Sequence, residues 1–283
     1  MNTDWRLVRG RPDPALADAV LGYRAFDLTL DRVQRRLEVP IGAVTLVANL
    51  GRGTLRIGRP GESGAWSSAD SFAIGPRTRA VIGEHNGAMR GIEVNLTPWF
   101  ARTVLGVHLG ELRDHQVELD QLLGRRWRHL EEQLAELPTS QARFTLIDRH
   151  LLRLRAAGPE PAPQLRAAWR HLLRGTAPTT VAALAHEVGW STRSLELHFA
   201  EHIGLTPKSA ARVTRLARTL RMLTAGHPLS DTSTACGFYD QAHLNREFRA
   251  LTGCAPREFL HHRRTPGRHL DRLPGWVTSA LLP

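Results

Sequence analysis

Ser191-Thr-Arg-Ser-Leu195-Glu-Leu-His-Phe199-Ala-Glu-His-Ile-Gly204-Leu-Thr-Pro207 and Asp240-Gln-Ala-His-Leu244-Asn-Arg-Glu-Phe248-Arg-Ala-Leu-Thr-Gly253-Cys-Ala-Pro256 are one pattern written twice. Each anchor of the second copy lies 49 positions after its counterpart. A polar N-cap, two apolar residues four apart, a glycine stop and a proline describe one short helix. Leu195/Phe199 and Leu244/Phe248 each fall on one helical face, so each predicted helix has a buried side and a displayed side.

A second short helical pattern closing on glycine precedes each copy: Val181 to Gly189, and Leu229 to Gly237. Ala185 and Ser233, each four residues before its glycine, are small enough for a close helix crossing. The glycine-to-leucine spacing is six residues in the first unit and seven in the second, so the predicted turns differ by one residue. Helix, tight glycine turn, helix is the helix-turn-helix unit, whose second helix enters the DNA major groove. One such unit is a weak signal; two at a fixed offset are a strong one.

The run Gly237-Phe-Tyr-Asp-Gln-Ala-His-Leu-Asn-Arg-Glu-Phe-Arg-Ala-Leu-Thr-Gly-Cys-Ala-Pro-Arg-Glu-Phe-Leu260 resembles the C-terminal signature of AraC/XylS-type transcription regulators. Leu184 to Pro207 is similar to that family's first helix-turn-helix, and the resemblance covers residues 165–262. It implies a sequence-specific DNA-binding regulator with double-stranded DNA and RNA polymerase as partners. Where the family often has arginine, this chain has Leu197, which removes a charged donor and leaves at most a methyl contact with thymine.

Charge agrees with that reading. The 283-residue chain carries a formal charge of +11, and residues 164–264 hold fourteen Lys/Arg against seven Asp/Glu. A basic helical domain suits a polyanion, although charge alone is also compatible with an acidic membrane surface. No stretch approaches the 18 apolar residues of a membrane span, and the N-terminus has no apolar signal core, so no membrane partner and a cytoplasmic location are expected. Cys236 and Cys254 lack metal-ligand spacing and read as small apolar residues in a reducing compartment. No cofactor is expected.

The first half predicts strands. Arg36–Val39, Ile41–Ala48, Gly53–Ile57, Ser71–Ile74, Thr78–Ile82 and Met89–Val94 are β-rich runs separated by Gly/Pro/Ser clusters. They point to a small antiparallel barrel or sandwich, preceded by a short helix over Ala15 to Leu21. From Thr97, a predicted N-cap before Pro98, helical spacing takes over. The stripes Trp127/Leu130/Leu134/Leu137 and Phe144/Ile147/Leu151/Leu154 read as intradomain core, with a dimer seam as the second reading.

The fold class is therefore α+β. Residues 1–157 form an effector-sensing or dimerisation domain with strands to about residue 95, 158–163 a Pro-rich linker, 164–264 a seven-helix DNA-binding domain, and 265–283 a poorly ordered tail. Val39-Pro-Ile-Gly-Ala-Val-Thr-Leu-Val and Val94-Asn-Leu-Thr-Pro-Trp-Phe-Ala-Arg-Thr-Val-Leu-Gly106 resemble sensor-like domains attached to some actinobacterial AraC-type regulators. That resemblance implies a small-molecule effector or a homodimer, and names no ligand.

On the first reading helix, Thr192, Arg193, Glu196 and Leu197 lie near the N-terminus and off the buried face; Gln241, Ala242, Asn245 and Arg246 do so on the second. Arginine can fork onto guanine, Gln or Asn can pair with adenine, and Glu can accept from cytosine. For Glu196 a solvent-facing charge is the equal alternative, and for Arg246 a phosphate contact or a solvated surface position. The helix between the units, Thr206 to Thr224, offers Lys208, Arg212 and Arg215 to phosphates, with plain solubility as the alternative. His85, Glu84, Glu93 and His108 are too scattered for an enzyme's paired groups. A fusion to a DNA-alkyl acceptor enzyme needs a nucleophilic cysteine in the first half, and residues 1–163 contain none. A constitutive DNA-binding protein whose N-terminal half only dimerises is the non-sensing alternative.

Overall fold

The computed structural model describes residues 4–30, 33–51, 53–60, 66–175, 179–264 and 279–281. Two antiparallel sheets occupy the N-terminal half. The first runs β1 (Asp4–Gly10), β2 (Val20–Thr29), β9 (Ala88–Leu96), β4 (Val44–Asn49), β7 (Phe72–Ile74) and β10 (Gln116–Glu118). The second runs β11 (Ser279–Leu281), β3 (Gln34–Glu38), β8 (Val81–His85), β5 (Leu55–Gly58) and β6 (Ser67–Ala69). They face each other as a sandwich; of the two predicted forms, the closed barrel is not adopted.

The first sheet is the middle layer. Thr45 and Val47 of β4 look toward the second sheet, whereas Leu46 and Ala48 look toward helices α1 (Pro98–Leu105), α3 (Arg125–Glu136) and α4 (Ser140–Ala157). A strand covered on both faces has no solvated side, which explains the mostly apolar run from Ile41 to Ala48, where the one hydroxyl, on Thr45, donates to Asn95 Oδ1 at 2.8 Å. Trp127, Leu134, Phe144, Ile147 and Leu151 are buried in the same cluster, so the α3 and α4 stripes are intradomain core. A short α2 (Leu119–Leu123) joins β10 to α3.

Three expectations need correction. The helix over Ala15 to Leu21 is only a 3-10 turn, Pro14–Leu16, capped by the Asp13 carboxylate accepting from the Ala15 amide at 2.8 Å. From Val20 the chain is strand, with a ladder to β9 that shifts register only between Val20 and Gly22, and tertiary pairing overrides local helix propensity. Thr97 precedes α1 but does not cap it: its hydroxyl donates to the Ala19 carbonyl at 3.1 Å, tying α1 to the start of β2. The poorly ordered tail falls mostly outside the described residues, but Ser279–Leu281 pairs with β3 and so returns to the sandwich.

The linker does not leave the halves apart. Asp18 pairs with Arg155 before the linker and Arg166 beyond it, at 2.6 and 3.3 Å. The Trp99 and Trp169 rings meet edge-on at 6.1 Å, and the Ala80 amide donates to the Leu251 carbonyl at 2.8 Å. One apolar cluster runs from Ile92 and Val94 through Trp99 and Trp169 to Leu195 and Phe199. Among the described residues no helix is long and apolar enough to cross a membrane.

Candidate nucleic-acid interface

Among the described residues seven helices follow the linker, as the sequence predicts: α5 (Pro163–Arg174), α6 (Val181–Glu187), α7 (Thr192–His202), α8 (Pro207–Thr224), α9 (Leu229–Ala235), α10 (Gln241–Thr252) and α11 (Pro256–Arg264). The two turns are built alike. Gly189 and Gly237 sit at φ +74° and +71°, a left-handed conformation that glycine adopts without the penalty a Cβ brings. After each glycine the next amide reaches back across the turn, Trp190 to the Ala185 carbonyl and Phe238 to the Ser233 carbonyl, both at 2.9 Å. The small residues that the sequence placed at the crossing are thus the acceptors, and both are buried.

Each reading helix is then capped by a side chain, Ser191 accepting from the Ser194 amide at 3.1 Å and Asp240 from the His243 amide at 2.6 Å. Leu195, Phe199, Leu244 and Phe248 are fully buried anchors. With those faces fixed, Thr192, Arg193, Glu196 and Leu197 on α7 and Gln241, Ala242, Asn245 and Arg246 on α10 are all exposed. Leu197 stands 64 % exposed, an apolar side chain displayed among polar ones.

The extra residue of the second turn is Tyr239, 94 % exposed directly before the N-cap of α10. The seven-residue glycine-to-leucine spacing carried that signal, yet the sequence reading did not name the tyrosine. Its ring stands where the first unit has no residue at all.

The helix between the units is 18 residues long, Pro207–Thr224, or about 27 Å at 1.5 Å per residue. It is a core element, with Val213, Leu216 and Leu220 buried. Lys208 at its start is exposed. Arg212 and Arg215 are half-buried and face α10, where Glu247 accepts from Arg212 Nε at 2.8 Å and lies 3.7 Å from Arg215 Nη2. Arg215 also lies over the Phe238 ring at 4.8 Å. The guanidiniums of these two arginines hold the second reading helix in place through Glu247.

In the N-terminal half, a cavity of about 150 Å³ lies between the sheets. Phe26, Val47, Ile57, Phe72 and Ile74 supply apolar walls, and Arg24, Arg36, Arg77, Glu38, Glu93 and His85 bring charge or polarity. Arg24 pairs with Glu93. Arg77 Nη1 is buried and makes no hydrogen bond. Burial raises the Glu38 carboxyl above its usual range, and burial followed by repulsion from Arg36 brings His85 down to about 4. Of the other scattered polar residues, Glu84 is held by Arg35 and Arg56 at 2.7 and 3.2 Å, and His108 is exposed.

Comparison with known proteins agrees with the duplicated unit. A family model described as a helix-turn-helix domain matches residues 184–262. The chain is 27% identical over 169 residues to a probable thc operon regulatory protein of Rhodococcus erythropolis, covering 51% of each. It is 34% identical over 86 residues to the putative HTH-type transcriptional regulator YkgA of Escherichia coli K12, covering 30% of this chain and 36% of that one. The chain thus spans about half or less of the length of the curated relatives it matches. ToxT of Vibrio cholerae aligns at a TM-score of 0.48 and 9% identity, over 92% of this chain and 98% of that one. The matched segment contains both glycine turns and both reading helices, so residues 184–262 are a helix-turn-helix domain similar to those of transcriptional regulators.

Proposed function

We propose that this chain is a sequence-specific transcriptional regulator that reads two adjacent major-groove segments with α7 and α10, acting through RNA polymerase. The observation that carries the reading is the pairing of two like turns whose anchors are buried and whose first-turn side chains are exposed. Successive major-groove faces lie about 34 Å apart, and a stiff spacer of about 27 Å holds two short helices at that order of separation. One chain then reads a bipartite, non-palindromic site, with modest DNA bending making up the difference.

Arg193 and Arg246 are assigned to guanine, Gln241 and Asn245 to adenine, and Thr192, Glu196, Leu197 and Ala242 to the neighbouring base edges. Lys208 is assigned to a phosphate. Arg193→Ala and Arg246→Ala are expected to cost about 1–3 kcal/mol each in anisotropy titrations and to relax preference at their own base pairs. An equal loss on every DNA sequence overturns base reading by these residues.

The sandwich cavity is the proposed effector site, with residues 1–157 as the sensing half. Its apolar walls and the buried Nη1 of Arg77 suit a small ligand with an apolar body and one acidic group. Three arginines against two glutamates leave the charged lining positive, which favours a monoanion. A panel of aliphatic and aromatic carboxylic acids is expected to raise the melting temperature, and Arg77→Gln to remove the shift. A flat response to the whole panel favours the constitutive reading instead.

A further inference from the structure

The reading face of α7 occupies its first turns; its last turn carries a different chemistry. His198, Glu201 and His202 stand at spacings of three and four, on one helical face. One ligand atom from each lies within 4.8 Å of the others. Some point therefore lies within about 2.8 Å of all three atoms, against about 2.0–2.2 Å for zinc–nitrogen and zinc–oxygen bonds. Small side-chain rotations close that difference without moving the helix.

The cluster is half-buried and backed by a wall. Trp190, the residue after the first turn's glycine, stacks on the His198 ring at 4.3 Å, and the His198 and His202 rings lie 5.7 Å apart. His198 Nδ1 is buried and makes no hydrogen bond. One feature opposes a cation: Arg102 of α1 donates to Glu201 Oε1 at 2.8 Å. Glu201 Oε2 is turned toward His202, 3.8 Å from its Nε2.

We propose that His198, Glu201 and His202 form a binding site for one divalent transition cation of the Zn²⁺ class, at the joint between the first reading helix and the N-terminal half. Two imidazoles and a carboxylate are ligands for Zn²⁺, Co²⁺ or Ni²⁺ rather than for Mg²⁺ or Ca²⁺, which prefer all-oxygen sets. A site of three protein ligands leaves a fourth position for water. A bound ion clamps the C-terminal turn of α7 beside its contact with α1, and the site does not depend on the DNA-reading proposal.

The test is Zn²⁺ uptake by the full chain, with Co²⁺ absorption as a second probe. Wild type is expected to retain about one Zn²⁺ per chain after dialysis, with His198→Gln and His202→Gln each binding at least about 100-fold more weakly. Glu201→Gln is expected to weaken binding about tenfold or more, and Arg102→Gln to tighten it by removing the competing cation. Zn²⁺ is expected to raise the melting temperature of wild type but not of the two histidine variants, whose metal-free melting curves report whether they fold. The chain has fourteen histidines, so uptake unchanged in folded His198→Gln and His202→Gln places the metal elsewhere and overturns the proposal. So does the failure of wild type to bind at about 100 μM metal, a concentration at which a three-ligand site of about 10 μM affinity is some nine-tenths filled.

Discussion

Gly189 and Gly204 have almost the same backbone, φ +74° and +75°, in opposite surroundings. A Cβ on Gly189 meets nothing within 4 Å, whereas one on Gly204 lies 2.5 Å from the Leu109 carbonyl oxygen and 2.9 Å from Pro76 Cγ. Leu109 and Pro76 belong to the N-terminal half. Alanine at either position bears the left-handed penalty of about 1–2 kcal/mol. Gly204→Ala must also part backbone from backbone across the joint, which adds about 1–3 kcal/mol of overpacking. In a chain of this size each kcal/mol moves the melting temperature by about 2–4 °C. Gly204→Ala is therefore expected to melt at least about 2 °C, and up to about 12 °C, below Gly189→Ala in calorimetry of the full chain. Equal melting temperatures for the two variants refute the close joint between the halves.

Glu247→Ala is expected to lower stability by about 1–2 kcal/mol, because it strips Arg212 and the half-buried Arg215 of their shared acceptor, and to weaken specific DNA binding without changing base preference. Binding titrations on matched and mismatched sites check the second part. Lys208→Ala is expected to weaken binding evenly across sequences and to reduce the salt slope by about 1, read from titrations at several ionic strengths. His85, held at about 4, stays neutral in the folded protein while the unfolded chain takes up a proton near 6.5, so stability falls as pH drops from 6.5 toward 4. The loss across that window is about 3 kcal/mol, and denaturation of His85→Gln across the same pH range is expected to be flatter by that amount.

The C-terminal helices were legible because their signals are local. Ser191, Asp240 and the glycines at 189 and 237 specify caps and turns within a few residues, and the structure uses each of them so. What escaped depends on partners far along the chain. Val20 to Thr29 becomes strand because β9, 59 to 76 residues later, supplies its ladder. The partner of Arg212 and Arg215 within the domain, Glu247, lies on another helix and is brought against them only by folding. His198 and His202 were visible at helical spacing, but the absence of a hydrogen bond at the buried His198 Nδ1 emerges only from packing.

The apolar cluster that runs from Ile92 through Trp99 and Trp169 to Phe199 bears on how such chains can be recombined. Cutting at the proline-rich stretch and grafting another sensor would leave Trp169 and Gly204 facing a surface that was never shaped for them. A working chimera needs its seam moved into the middle of the DNA-reading half, after the first turn unit, or a redesigned α1 to receive it. Exchange of whole halves between relatives should thus be rarer in this lineage than its two-part layout suggests.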